Sequence, residues 1–283
     1  MSVQIVIDSA CDLPKSTADH LGIHMLPLRT ILDGVEYLDG VELDGSAFYE
    51  KLIETDAAPK TSQVPPADFE KAFAKIVEAG DTALCITVSS GLSGTYQSAM
   101  IAAENFGDKV IVVDSLNVTI GEQVLVMRAV RLRDEGWNAW EIAEILNHEK
   151  KRIRLIALLD TLEYLKKGGR ISSTAALAGT LLSIKPVIAV QDGKLEMMGK
   201  ARGSKNGNNK LKEMIQNSRG IDFDRPFMLA YSGLSDHILR KYITDSHELY
   251  EGKTDHLPVC MIGSTIGAHA GPGAIGVAFF ENE

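Results

Sequence analysis

The segment KTSQVPP, residues 60–66, places two hydroxyl groups side by side where they could bind an anion. Thr61 and Ser62 precede a proline pair that suits the first turn of a helix. Each hydroxyl can donate a hydrogen bond to a carboxylate or a phosphate. The alternative interpretation is a capping and turn segment without a ligand.

A second segment, SSGLSGTYQSA at residues 89–99, joins a predicted strand to a predicted helix through glycine-flanked hydroxyls. Backbone N–H groups at the start of a helix, with the positive end of its dipole, favour a carboxylate or phosphate there. Ser93 and Gly94 are the candidate contacts, because glycine lets a ligand approach the backbone closely. A glycine-rich connector with a Ser or Thr cap is the alternative.

Ser93 also raises the question of serine hydrolysis. The nucleophile elbow requires G-x-S-x-G, and this chain has Thr95 in place of the last glycine. A triad would also need a base, and His269 follows Ser93 in a workable order. Because the sequence gives no geometry for such a triad, hydrolysis is the weaker interpretation.

His269 lies in the glycine-rich segment GSTIGAHAGPGAIGVAFF, residues 263–280. Residues 271–276 match G-x-G-x-x-G, but they precede the last predicted strand instead of opening a helix, so no dinucleotide site is predicted. The small neighbours of His269 predict a loop from which its ring could reach into a cleft. An imidazole there could donate to a carboxylate or, when protonated, pair with it.

Two arginines beside flexible glycines, Arg170 in KKGGRIS and Arg202 in GKARGSK, could contact an anion or a partner protein. The planar guanidinium favours a carboxylate or phosphate, whereas a solvated basic loop is the alternative. The histidines show no metal-ligand spacing, so we predict neither a metal site nor a cofactor.

The elements that must position these residues follow an α/β pattern, in which short β-branched runs alternate with amphipathic segments. Strands predicted at 3–8, 83–88 and 110–114 end in small polar residues, at the sheet edge where ligands of such folds bind. We predict a two-domain α/β fold: a mainly parallel N-terminal domain at residues 1–156 and a mixed-sheet α/β C-terminal domain at residues 157–283.

The other predicted elements include a hairpin at Asp192-Gly193, a turn sequence typical of two-residue loops. Strands are predicted at 155–159, 187–190, 195–198, 227–231, 258–262 and 277–280. Helices are predicted at 68–78, 95–105, 121–135, 140–150, 161–167, 175–183, 209–217 and 237–249.

Composition narrows the class of protein. A formal charge of −9 argues against sequence-independent binding of nucleic acid, which requires a basic face. Three scattered cysteines are typical of reduced thiols and not of a disulfide framework. The N-terminus lacks the pattern of a signal peptide, and Lys185 and Pro186 interrupt the longest apolar stretch. We therefore expect a cytoplasmic protein without stable membrane insertion.

Seven segments, taken in order, extend over essentially the whole chain. They are DSACDLP, KTSQVPP, SSGLSGTYQSA, VVDSLNVTIG, LEYLKKGGRIS, LLSIKPVI and GSTIGAHAGPGAIGVAFF. This ordered set resembles the DegV family, which includes the fatty-acid-binding subunits of bacterial fatty acid kinase.

The resemblance implies a two-domain α/β protein that buries a long-chain fatty acid. It also implies that the lipid carboxylate contacts Thr61 and Ser93, with His269 at the same polar end, and that Arg170 serves the encounter with the kinase. The protein would present the carboxylate to the catalytic subunit of fatty acid kinase, in phospholipid metabolism, without catalysis of its own. An acyl hydrolase using Ser93 and His269, or a sensor of small carboxylates, is the alternative.

Overall fold

The computed structural model describes residues 2–55, 58–171 and 184–283, in which the strands and helices are numbered in chain order. The strands are β1 (Val3–Asp8), β2 (His24–Leu26), β3 (Arg29–Leu32), β4 (Val35–Leu38), β5 (Lys60–Ser62), β6 (Thr82–Thr87), β7 (Val110–Asp114), β8 (Ile153–Leu158), β9 (Ile184–Gln191), β10 (Lys194–Arg202), β11 (Phe227–Tyr231), β12 (Val259–Met261) and β13 (Ile275–Phe280). The helices are α1 (Lys15–His20), α2 (Gly45–Glu54), α3 (Pro66–Glu78), α4 (Thr95–Ala103), α5 (Ile120–Asp134), α6 (Ala139–Glu149), α7 (Glu163–Lys167), α8 (Gly203–Asn217), α9 (His237–Asp245) and α10 (Ser264–Ala270).

The first sheet contains four strands in the order β2-β1-β6-β7, all of them parallel. Its two central strands consist largely of fully buried apolar residues, such as residues 5–7 of β1 and residues 83–86 of β6. Continuous apolar runs of this kind are typical of parallel strands that helices cover on both faces. The mainly parallel sheet predicted for the first half of the chain is confirmed.

The second large sheet contains six strands in the order β10-β9-β8-β13-β11-β12. Adjacent strands in this sheet are antiparallel, except for β11 and β12, which are parallel to each other. The predicted mixed sheet is therefore also confirmed. Asp192 and Gly193 connect β9 to β10 with φ angles of 46° and 77°, and positive φ at both positions is what a type I′ hairpin turn requires. The predicted domain boundary at 156/157 falls within β8, and the division into two domains stays a proposal.

A third, three-stranded antiparallel sheet in the order β4-β3-β5 was not predicted. Its strands have only three or four residues, too few for their alternation to be recognised. Thr61 and Ser62 lie on β5, where Thr61 pairs with Thr30 of β3. The KTS segment is therefore a short strand and not a turn.

Among the described helices, two differ from their predicted bounds by more than two residues, for local reasons. Helix α8 begins at Gly203, six residues before its predicted start at 209. Its first turns are rich in glycine and asparagine, which have low helix propensity, so the sequence pattern did not indicate a helix there. Gly207 is needed there, since a Cβ atom would lie 2.7 Å from the Leu158 side chain. The helix predicted at 237–249 ends at Asp245, and a short 3₁₀ segment follows. The helix predicted at 175–183 lies outside the described residues.

Candidate functional site

A cavity of about 350 Å³ is lined by the six-stranded sheet, α10, β5 of the small sheet and the segments that follow β1, β2 and β6. Its wall is predominantly apolar, and many of the apolar side chains come from the six-stranded sheet and the start of α5. These include Val118, Ile120, Leu155, Ala157, Leu159, Ile188, Ala189, Val190, Ala230, Ala274 and Ile275. A volume in the range of small-molecule sites, about 300 to 1,000 Å³, together with an apolar wall, suits a hydrophobic ligand.

Thr61 and His269 meet at one end of this cavity, where Thr61 Oγ1 lies 2.8 Å from His269 Nε2. His269 is the penultimate residue of α10, so the predicted loop around it was wrong. The small residues that suggested a loop instead allow close helix packing: a Cβ atom at Gly267 would lie 2.7 Å from both Phe48 and Tyr49. The same packing presents the imidazole to the cavity.

The imidazole of His269 is neutral at pH 7. Burial, together with the nearby positive charge of Arg170, lowers the pKa of His269 to about 4. A neutral ring carries one N–H donor and one acceptor nitrogen. Among the described residues nothing hydrogen-bonds to Nδ1 of this ring. An unpaired buried polar atom costs about 1–3 kcal/mol, and Nδ1, which lies against Gly168, is such an atom.

Ser93 and Gly94 border the same end of the cavity, just before α4. Ser93 Oγ accepts a hydrogen bond from the Thr95 backbone at 3.2 Å and lies 2.9 Å from Thr95 Oγ1. Gly94 has an ordinary φ of −75°, but a Cβ atom there would lie 2.1 Å from Gln63 Oε1. A side chain at position 94 would therefore displace the end of the Gln63 side chain, a role for this glycine that the sequence did not reveal.

The remaining predicted residues divide between the cavity and the surface. Ser62 lines the cavity next to Thr61. Arg170 lines it too, and its guanidinium donates two hydrogen bonds to backbone carbonyl oxygens. Nε donates to Leu92 at 3.2 Å, and Nη1 donates to Gly168 at 2.6 Å. Arg202 is exposed and is not among the described residues that line the cavity. The structure thus brings six of the seven predicted residues together.

Sequence reasoning missed two contributors to this polar end. Gln63 lines the cavity and donates from Nε2 to Ser98 Oγ at 2.7 Å. Its only signal was its place in the KTSQVPP segment. Gly168 lets the His269 ring lie against α7, because a Cβ atom there would be 2.1 Å from Nδ1.

The buried carboxyl groups in the described part of the chain include Asp8, Asp12, Asp39 and Glu122, and two of them, Asp12 and Asp39, accept hydrogen bonds from residues at the start of α10. Burial, reinforced by the negative charges of neighbouring carboxylates, raises the pKa of Asp8 to about 7 and that of Asp12 to about 8. Burial also raises the pKa values of Asp39 and Glu122. No set of three or more His, Cys, Asp or Glu side chains in the described part of the chain could hold a metal ion.

Comparison with known proteins places this architecture in a family. The family model described as "Uncharacterised protein, DegV family" matches residues 2–282. A DegV domain-containing protein of Clostridium acetobutylicum is 36% identical over 284 residues, which cover 99% of this chain and 98% of the relative. None of the described helices is long and apolar enough to cross a membrane.

Two solved structures of fatty-acid-binding proteins resemble this chain over their whole length. A fatty-acid-binding DegV family protein from Thermus thermophilus has a TM-score of 0.89 and 31% identity, with full coverage of both chains. A stearic acid-binding protein from Eubacterium ventriosum has a TM-score of 0.86 and 27% identity, covering 98% of this chain and 97% of its own.

Proposed function

This chain belongs to the DegV family, and on that premise we propose that it binds a long-chain fatty acid with the carboxylate at Thr61, Ser93 and His269. The observation that carries the proposal is the cavity, whose wall is apolar while Thr61, His269 and Arg170 cluster at one end. A fatty acid has the same division between tail and head group. The Thermus thermophilus and Eubacterium ventriosum proteins, which resemble this chain, bind fatty acids.

The tail and the head group contribute differently to this binding. Each methylene removed from water contributes about 0.8 kcal/mol, so the tail supplies most of the affinity. A buried carboxylate without partners would cost several kcal/mol. Ser93 offers a hydroxyl donor. Thr61 and the neutral His269 ring together offer one more, because one of them donates the hydrogen bond that joins them. The Arg170 guanidinium supplies a positive charge. An apolar wall favours this ligand over a small carboxylate.

Protein purified from a bacterial host should carry one equivalent of fatty acid with a tail on the order of sixteen carbons, long enough to use the apolar wall at ~0.8 kcal/mol per methylene. Native mass spectrometry before and after organic extraction measures the ligand mass directly. A preparation that shows only the 30.7 kDa chain, or a short carboxylate in place of an acyl lipid, would count against the proposal.

Thr61→Val and Ser93→Ala should each weaken fatty-acid binding by about 1–3 kcal/mol, the usual loss for one hydrogen bond to a charged group. The corresponding fatty alcohol should lose less affinity, because it carries no charge. Ser16→Ala, at an exposed position on α1, is the control. If both site variants bind oleate like the parent, the carboxylate does not contact these hydroxyls.

We propose further that the protein presents the bound carboxylate to the catalytic subunit of a fatty acid kinase and has no catalysis of its own. Arg170 borders both the cavity and an open surface cleft that contains Lys194, so the polar end lies close to solvent. The hydrolase alternative requires Ser93 to hydrogen-bond to His269. Ser93 Oγ instead contacts Thr95, and His269 Nε2 contacts Thr61. A cytoplasmic location stays a prediction.

His269→Ala should slow ATP-dependent formation of acyl phosphate by an added fatty acid kinase about tenfold, the equivalent of one hydrogen bond to a charged group. Alanine preserves helix α10, so the fold should persist. Lipid affinity should also fall about tenfold, which is a modest part of the total because the tail dominates binding. His20→Ala, an exposed histidine on α1, is the control. Robust hydrolysis of acyl esters by the parent that disappears in His269→Ala would overturn the carrier assignment.

A further inference from the structure

Helix α10, which carries His269, is too short to define its own position. It has seven residues, and isolated helices of this length are not stable in water. Its location must therefore be set by contacts with the rest of the fold. The contacts at its first turn are made by a buried carboxylate from the other half of the chain.

That carboxylate is Asp39, which follows β4 and is 3% exposed. Its Oδ1 accepts hydrogen bonds from Ser264 N at 3.0 Å, from Ser264 Oγ at 2.7 Å and from Thr265 N at 3.4 Å. Its Oδ2 accepts from Ser9 Oγ at 2.7 Å. Asp39 thus ties the start of α10 to the end of β1.

The small sheet contacts α10 at both ends. Thr30 Oγ1 lies 2.8 Å from Ser264 Oγ at the start of the helix, while Thr61 contacts His269 near its end. Thr30 and Thr61 are paired neighbours on β3 and β5. A displacement of the first turn of α10 relative to this sheet would therefore change the contact between His269 and Thr61.

Close packing and directed hydrogen bonds constrain different movements of the helix. Gly267 packs against Phe48 and Tyr49 and fixes α10 laterally. A Cβ atom at Gly263 would lie 3.0 Å from Asp12 Oδ1 and 3.3 Å from Asp39 Oδ1, so a side chain there would press against both carboxylates. Hydrogen bonds are directional, and those of Asp39 therefore fix the rotation of α10 and its translation along its axis.

We infer that Asp39 is a positioning residue for the head-group site, acting through α10 on His269. The inference rests on the proposed fatty-acid site. Asp39 is not among the described residues that line the cavity, so it acts without touching the ligand. Its loss should lower carboxylate affinity only as far as His269 contributes to that affinity.

A double-mutant cycle on the full chain, with oleate as the probe, tests this dependence. Asp39→Ala should weaken oleate binding about tenfold, whereas in the His269→Ala background it should change affinity by less than about twofold, because both residues act on one contact. Oleyl alcohol, which lacks the carboxylate, should lose little affinity in any variant. Asp39→Asn keeps an oxygen for the three α10 donors and should restore most of the affinity. Asn138→Ala, which removes the cap of the distant helix α6, is the control.

Additive losses in the two single variants would overturn the inference, because Asp39 would then act independently of His269. If Asp39→Ala does not fold, Ser264→Ala is the alternative variant, because it removes only one donor to Asp39. It should cause a smaller loss of oleate affinity, and that loss should also vanish in the His269→Ala background. A parent protein that does not bind oleate would contradict the proposed function itself, and is thus distinguishable from failure of the cycle.

Discussion

Gly276→Val should weaken the binding of a long-chain fatty acid about fiftyfold while leaving the fold intact. The added side chain would occupy the space of about three methylenes of the tail. At ~0.8 kcal/mol for each methylene, this loss is roughly 2.4 kcal/mol. Gly276 lines the cavity on strand β13, with a conformation open to any residue. A Cβ atom there would lie 3.5 Å from Ile120 Cδ1 and 3.7 Å from Ala157 Cβ, which are ordinary contacts.

Binding measurements with a series of fatty acids distinguish a shortened tail site from general damage. The preference of Gly276→Val should shift to acids about three carbons shorter, whose tails still fit. Gly199→Val on β10 is the matched control, because a Cβ atom there would approach only Lys210, at 3.5 Å. Equal affinity of parent and Gly276→Val for every chain length would mean that the tail does not run past this strand.

The large sheets were predictable because their signals are local. Strands β1, β7 and β11 begin and end at the predicted residues, since each is a run of mostly apolar or β-branched residues bounded by polar ones. The Asp192-Gly193 turn was predictable for the same reason, because its conformation depends on two adjacent residues. The strands of the small sheet, with three or four residues each, carry no comparable signal.

The candidate site was predictable only in part, because its members are distant in sequence. Hydroxyl and glycine patterns drew attention to Thr61 and Ser93 separately. The contact between Thr61 and His269 joins residues 208 positions apart, and that of Asp39 with Ser264 joins residues 225 positions apart. A single sequence contains no signal for such pairs, and only the family resemblance suggested that Thr61 and His269 share one end of a cavity.

Glycines were the most misleading signal at this site. Gly94 was interpreted as a place where a ligand approaches the backbone, whereas the group that approaches it most closely is the side chain of Gln63. Gly168 was interpreted as part of a flexible segment beside Arg170, whereas it ends α7 and makes room for the His269 ring. A glycine in the sequence shows neither whether a side chain would be tolerated there nor which group takes the space.

Asp12→Asn should stabilise the protein by about 5 kcal/mol at pH 8, with almost no effect near pH 4. Burial, reinforced by Asp39 and Asp8, raises the pKa of Asp12 from 3.8 to about 8. A carboxyl group with a raised pKa contributes its full stability below its unfolded pKa, and that stability is lost as the pH rises through the folded value. The parent should therefore lose stability between about pH 4 and pH 8 relative to the variant.

The substitution removes the charge while preserving both contacts of the side chain. Asp12 Oδ1 accepts from Gly263 N at 2.9 Å, and Oδ2 contacts the Thr119 hydroxyl, which can accept a hydrogen bond from an asparagine amide. Asp12 has a φ of 54°, a left-handed conformation that asparagine also adopts readily. Asp192→Asn is the control, because Asp192 is exposed and has a φ of 46°. It measures the effect of replacing aspartate by asparagine in a left-handed conformation without the removal of a buried charge. Urea denaturation of parent and both variants across this pH range measures the difference. Stability curves for parent and Asp12→Asn that run parallel from about pH 4 to pH 8 would show that Asp12 is not the group whose ionisation opposes folding.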